Sequence, residues 1–130
     1  MRNTVWTILL LTFFGSWMQA SDNEKARLVL GGLDPVLLVE GEERKGDEGL
    51  KTSHQGFLYR FANSRNKETF ESNPSKFAVQ IRGACPVRPD LKGKPEIFLV
   101  HQGRIYLFFS EHCRGDFQED PEGYLEKLPR

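Results

Sequence analysis

The sequence predicts a small single α+β domain built from two pseudo-symmetric strand–loop–strand–helix repeats that share one sheet. Two observations carry that expectation. First, residues 54–77 align without a gap onto residues 101–124, an offset of 47. His54/His101, Gln55/Gln102, Gly56/Gly103, Tyr59/Tyr106, Phe61/Phe108, Phe70/Phe117 and Pro74/Pro121 are identical, whereas random pairing over such a length gives roughly one or two identities at average residue usage. Second, each copy passes from strand-like alternation to a capped polar segment with one large apolar anchor. Two copies are too few for a solenoid, which needs at least about three units. The expected outcome is one compact domain.

In chain order, Leu28-Val29-Leu30 and Val36-Leu37-Leu38-Val39 are apolar segments ahead of the first copy. The Asp34-Pro35 step between them reads as a turn. A polar strand over Leu50 to Ser53 leads into His54-Gln55-Gly56, a hairpin loop in which Gly can take a positive φ. Phe57, Tyr59 and Phe61 then alternate with Leu58 and Arg60, the period of a strand with one buried face. In the second copy Ile97 to Val100 is the first strand and Ile105 to Phe109 the next, apolar on both faces and so expected to be the more central strand. Asn63-Ser64 and Ser110-Glu111 offer a capping side chain to a helix anchored by Phe70 or Phe117. Asn73-Pro74 and Asp120-Pro121 start a further helical turn, with Pro at the first helical position. Pro86 to Pro95 connects the copies.

Residues 1–20 read as a secretory signal peptide. Met1-Arg2 is a short positive start, Trp6 to Phe14 is apolar and uncharged, and a small residue, Ala20, precedes the polar Ser21-Asp22-Asn23. The apolar run is shorter than the roughly 20 residues of a membrane span, so no stable span is expected after cleavage. Residues 21–130 then form one domain, secreted or periplasmic. The whole chain carries 18 basic and 18 acidic side chains. Such a balance lacks the basic stripe that phosphate backbones require, which excludes nucleic acid as a partner.

A family resemblance rests on an ordered series of short motifs. Gly32-Leu33-Asp34-Pro35-Val36, Arg44-Lys45-Gly46, Gly56-Phe57-Leu58-Tyr59-Arg60-Phe61, Phe70, Asn73-Pro74, Phe77 and Gln80-Ile81-Arg82-Gly83-Ala84-Cys85 together resemble the YHS domain of secreted bacterial proteins. The resemblance implies a metal- or small-ligand-binding module without assigned catalysis, with Cys85 at the family's cysteine position.

Cys85 and Cys113 are the only cysteines. In an exported domain of this size they read as a disulfide, as a shared ligand site, or as separate thiols. With Ser110 as cap, Cys113 falls in the first turn of its helix, where exposed N–H groups favour a thiolate. His112 is adjacent, and thiolate with imidazole suits zinc or copper(I). His54 and His101 are equivalent by the repeat and are either a ligand pair or solvent-facing loop residues. The candidate metal ligands are therefore Cys85, Cys113, His54, His101 and His112. No Gly-x-Ser-x-Gly, phosphate-binding glycine loop or His-Glu-x-x-His occurs, so a non-catalytic role is expected. A Cys85 nucleophile assisted by His54 or His101 is the enzymatic alternative.

Overall fold

The computed structural model describes residues 26–129. The expected signal peptide, residues 1–20, lies outside the described residues. A two-residue strand β1 (Arg27–Leu28) opens the fold, followed by a turn at Leu30–Gly32 and a short helix α1 (Pro35–Val39). Strands β2 (Asp47–His54) and β3 (Phe57–Phe61) form a hairpin that feeds helices α2 (Ser64–Ser72) and α3 (Pro74–Phe77). A turn at Gln80–Gly83 precedes β4 (Lys94–His101), β5 (Arg104–Phe108), α4 (Glu111–Glu119) and α5 (Pro121–Glu126). The small α+β class is as the sequence indicates.

Local chemistry sets each of these elements. The loop residues Gln55 and Gly56 have φ of +50° and +84°, and Gln102 and Gly103 have +49° and +70°. Two successive positive φ values define the two-residue turn whose twist matches that of the flanking strands. The helices begin as their caps dictate: Asn63 Oδ1 accepts from the N–H of Asn66 at 2.8 Å, and Ser110 Oγ from that of Cys113 at 3.1 Å. Each satisfies one N–H that the first helical turn leaves open.

The expectation of one shared sheet is corrected. The strands divide into a three-stranded sheet ordered β1-β3-β2 and a two-stranded sheet of β4 and β5. The free edge of β3 is taken by β1, which pairs with it in parallel through Arg27↔Phe57 and Leu28↔Leu58. The matching edge of β5 carries only an isolated parallel bridge, Val79↔Ile105. With those edges occupied, the hairpins do not pair with each other.

The core likewise divides in two. Tyr59 and Phe61 pack with Phe70, Phe77, Val29, Leu30, Ile105 and Leu107, whereas Tyr106 and Phe108 pack with Phe117, Ile97, Cys85 and Cys113. Alternation along β5 explains the split, because successive side chains leave opposite faces of a strand. Ile105 and Leu107 serve one cluster, Tyr106 and Phe108 the other. The deep burial that the apolar sequence of this strand indicated comes from packing on both faces, not from a central place in a sheet. No helix among the described residues is long and apolar enough to cross a membrane.

Candidate functional site

The hairpins end their first strands on the two histidines, which are paired strand residues: His54 lies opposite Phe57, and His101 opposite Arg104. Neither is a free loop imidazole. His54 stands edge-on to Phe70 with ring centroids 6.0 Å apart, and His101 edge-on to Phe117 at 5.7 Å. His101 Nε2 also lies 3.1 Å from Glu122 Oε1. His112 projects from the exposed face of α4 toward Asp116. Among the described residues no three His, Cys, Asp or Glu side chains gather closely enough to hold a metal ion. The five candidate ligands are thus spread over several places. Cys85 and Cys113 share one packed environment, the cluster of Ile97, Tyr106, Phe108 and Phe117, which His101 touches from outside at Phe117. Both are buried, and both are free thiols.

The surroundings of Cys85 have a counterpart that the sequence alignment stopped short of. Leu30, Gly31 and Gly32 all adopt left-handed backbone, with φ of +64°, +61° and +82°. Ile81, Arg82 and Gly83, which lie 51 residues on, do the same at +47°, +53° and +81°. Left-handed backbone is disfavoured by roughly 1–2 kcal/mol per residue bearing a Cβ, so three in succession is a specific device. Leu33 and Ala84 then return to extended backbone, at φ −68°, ψ 146° and φ −67°, ψ 149°.

The hydrogen bonds that follow also match. The Asp34 N–H donates to Arg44 O at 2.8 Å and the Cys85 N–H to Leu91 O at 3.0 Å. Gly46 donates to Gly32 O at 2.8 Å and Gly93 to Gly83 O at 2.7 Å. A Cβ on Gly46 would meet the Arg60 backbone at 2.4 Å, and one on Gly93 would meet Leu107 Cβ at 2.5 Å. Neither position can carry a side chain without displacing the strand beside it.

Cys85 therefore stands where the first half of the chain has Asp34, a residue whose role sequence reasoning missed. Asp34 is fully buried. Its Oδ1 accepts from the N–H groups of Val36 at 2.8 Å and Leu37 at 3.2 Å, capping α1. Its Oδ2 accepts from the Ala62 N–H at 2.7 Å and from Asn66 Nδ2 at 2.9 Å. The carboxylate thus clamps the start of α1 to the start of α2. Asp before Pro at a helix start was the available signal, the one already used for Asn73-Pro74 and Asp120-Pro121. Asn66 lies three residues after its cap Asn63, and Cys113 three residues after its cap Ser110. The Asp34–Asn66 pair of the first half is matched in position by Cys85 and Cys113 in the second.

Other polar groups serve the fold. The Tyr59 hydroxyl accepts from the Val79 N–H at 3.0 Å, and burial pushes its pKa up to about 12, with the Val79 contact acting in the opposite sense. Burial also raises Tyr106, with Arg104 opposing and Glu122 adding to the rise. Against known proteins, the chain matches no family model, no curated protein and no solved structure.

Proposed function

We propose that the chain is an exported, non-catalytic structural or interaction module made of two copies of one unit, in which Cys85 and Cys113 close as a disulfide. One observation carries this reading: the two cysteines occupy the positions of Asp34 and Asn66, whose side chains are in direct contact, and they lie in one buried cluster. Each sulfur corresponds to the carbon one atom short of the hydrogen-bonding atoms of Asp34 or Asn66. Replacing both residues by cysteine removes a polar contact and puts a free thiol on each side of the gap that it bridged. Closing that gap forms an S–S bond of about 2.05 Å. Two thiols lose two protons and two electrons to a disulfide oxidant, which leaves as two thiols.

The apolar surroundings favour this outcome over metal ligation, because a thiolate needs nearby positive charge or a metal to offset its desolvation. The reactive-nucleophile alternative loses support for the same reason: His101 meets the cluster only at Phe117 and turns its Nε2 to Glu122, and His54 packs on Phe70. The YHS resemblance supplies the competing proposal, in which Cys85 holds copper or zinc or a small ligand. Cys113 and a histidine would then have to approach Cys85 by rearrangement.

Counting free thiols on protein isolated from an oxidising compartment without reductant separates the two. None is expected, with two appearing after reduction. Closure of the segment from Cys85 to Cys113 stabilises the fold by about 3 kcal/mol in the chain-entropy model, so reduction lowers the denaturant midpoint to that of Cys113→Ser. Two reactive thiols, with tight copper(I) or zinc binding lost in Cys85→Ser, would replace this reading with the metal site.

A further inference from the structure

Two adjoining clefts meet at Gln55 and Arg82. The smaller, about 170 Å³, is flanked by Arg27, Arg82 and Lys92; the larger, about 340 Å³, is lined by His54, Ser75 and Gln80. Among the described residues no carboxylate lines either one, although the chain has as many acidic as basic side chains. Arg44, Arg60, Arg88 and Arg114 each face a carboxylate. Arg27, Arg82 and Lys92 make no ion pair or side-chain hydrogen bond among the described residues. Three cations from β1, the Gln80–Gly83 turn and the segment before β4, none paired among the described residues, therefore surround one opening.

The backbone at Arg82 adds a second, independent observation. Arg82 has a φ of +53°, in the left-handed region that side-chain-bearing residues seldom occupy, and its positional counterpart in the first half is Gly31 at +61°. Glycine takes that conformation without steric penalty. A strained backbone that persists where an unstrained residue would serve points to a role for the side chain it carries. Here that side chain belongs to an arginine that lines both clefts.

We propose that this opening binds the phosphoryl group of a small phosphate monoester, with the organic part in the His54–Gln80 cleft. A phosphate monoester is close to dianionic at neutral pH, its second pKa being near 6, and so matches several cations better than a single carboxylate does. A guanidinium can meet two phosphoryl oxygens at once, with ammonium groups as point charges beside it. The uncharged polar groups of Gln55, Ser75 and Gln80 suit a hydroxylated body such as a sugar. This site lies apart from the cysteine pair and does not depend on it.

Titration of the purified protein at low ionic strength with glucose 6-phosphate, inorganic phosphate, glucose and acetate tests the site. Glucose 6-phosphate is expected to bind more tightly than inorganic phosphate, with glucose and acetate weaker than both. The decisive variant is Arg82→Gly, which relieves the strained backbone: it should melt no lower than the parent yet bind glucose 6-phosphate at least tenfold more weakly. Arg88→Gly, a change to a cation outside the clefts, should leave binding unchanged. Equal binding of all four compounds, or unaltered affinity in Arg82→Gly, overturns the proposal. Equal affinity for phosphate and its sugar ester overturns the assignment of the larger cleft.

Discussion

The first half of the described chain, 26–77, and the second, 78–129, use the same local devices but close them with different chemistry. Both have a left-handed three-residue turn, a strand edge held by a glycine contact, a hairpin with Gln-Gly at its tip, and a capped helix carrying one phenylalanine. Phe70 is met by Tyr59 at 4.7 Å and Phe61 at 5.3 Å, and Phe117 by Tyr106 at 5.6 Å and Phe108 at 5.2 Å. The halves part between the turn and the next strand. Asp34 is followed by helix α1 before Arg44, whereas Cys85 reaches Leu91, the partner matching Arg44, four residues sooner. Where the helix exists, a carboxylate satisfies its open N–H groups. Where it is missing, those donors are absent too, and a carboxylate would be buried with fewer partners. A small apolar-tolerant thiol fits that position, because a buried charge without partners is far more costly than a buried sulfur. The comparison teaches that one scaffold tolerates either clamp as long as each matches its donors.

The halves do not share the core equally, and that asymmetry gives the largest expected effect. Ile105 and Leu107 are fully buried in the cluster built around Phe70, although they belong to the second half. A chain ending after Pro95 would keep the first hairpin but lose both residues, and a lone hairpin with an uncovered face is marginal in water. Complete loss of cooperative thermal unfolding is expected by circular dichroism. A truncated chain that still melts cooperatively would show that the first half is an independent unit.

The clamps differ next. Asp34→Ala strands four donors, the N–H groups of Val36, Leu37 and Ala62 and the Asn66 amide. Each unsatisfied buried donor costs about 1–3 kcal/mol, so a loss of at least about 3 kcal/mol is expected in urea unfolding. Cys85→Ala, measured under reducing conditions, removes only sulfur packing and should cost about 1–2 kcal/mol, within the ordinary range for a core substitution. Equal losses in the two variants would mean that the thiol also holds a polar network, and the contrast drawn between the clamps would fail.

Much of this was legible in sequence where chemistry is local. The offset of 47 located both hairpins, both caps and both Pro-started helices, since turns and caps are set by a few adjacent residues. The α+β class followed from strand alternation passing into capped segments. What escaped was non-local. Asp34-Pro35 looked like a turn because its partners, Ala62 and Asn66, lie far along the chain. The likeness of Leu30–Val36 to Ile81–Val87 was hidden by the shift in offset from 47 to 51, with Gly32/Gly83, Pro35/Pro86 and Val36/Val87 as its only identities. The sheets were misjudged because an edge strand of two residues, β1, carries almost no periodic signal. The histidines seemed to be loop residues because the tight turn uses only Gln-Gly, which returns His54 and His101 to the strands.

The tyrosines provide the smallest contrast, and pH separates them. The Tyr59 hydroxyl accepts from the buried Val79 N–H, whereas no hydrogen-bond partner stands against Tyr106 OH among the described residues. At neutral pH, Tyr59→Phe leaves that N–H unsatisfied and should cost about 1–3 kcal/mol, against a few tenths for Tyr106→Phe, as is usual away from such features. In alkali, an unfolded tyrosine ionises near pH 10, whereas folded Tyr59 holds its proton to about 12. Below pH 10 both states are protonated, and the stabilisation is fully present. Above it the unfolded chain releases its proton first, so stability falls as pH rises through the folded value, by at most about 2–3 kcal/mol. Urea midpoints measured from pH 8 to 12 should therefore decline more steeply for the parent than for Tyr59→Phe. Parallel declines would mean that Tyr59 ionises as easily in the folded chain as in the unfolded one, and that its burial has been overstated.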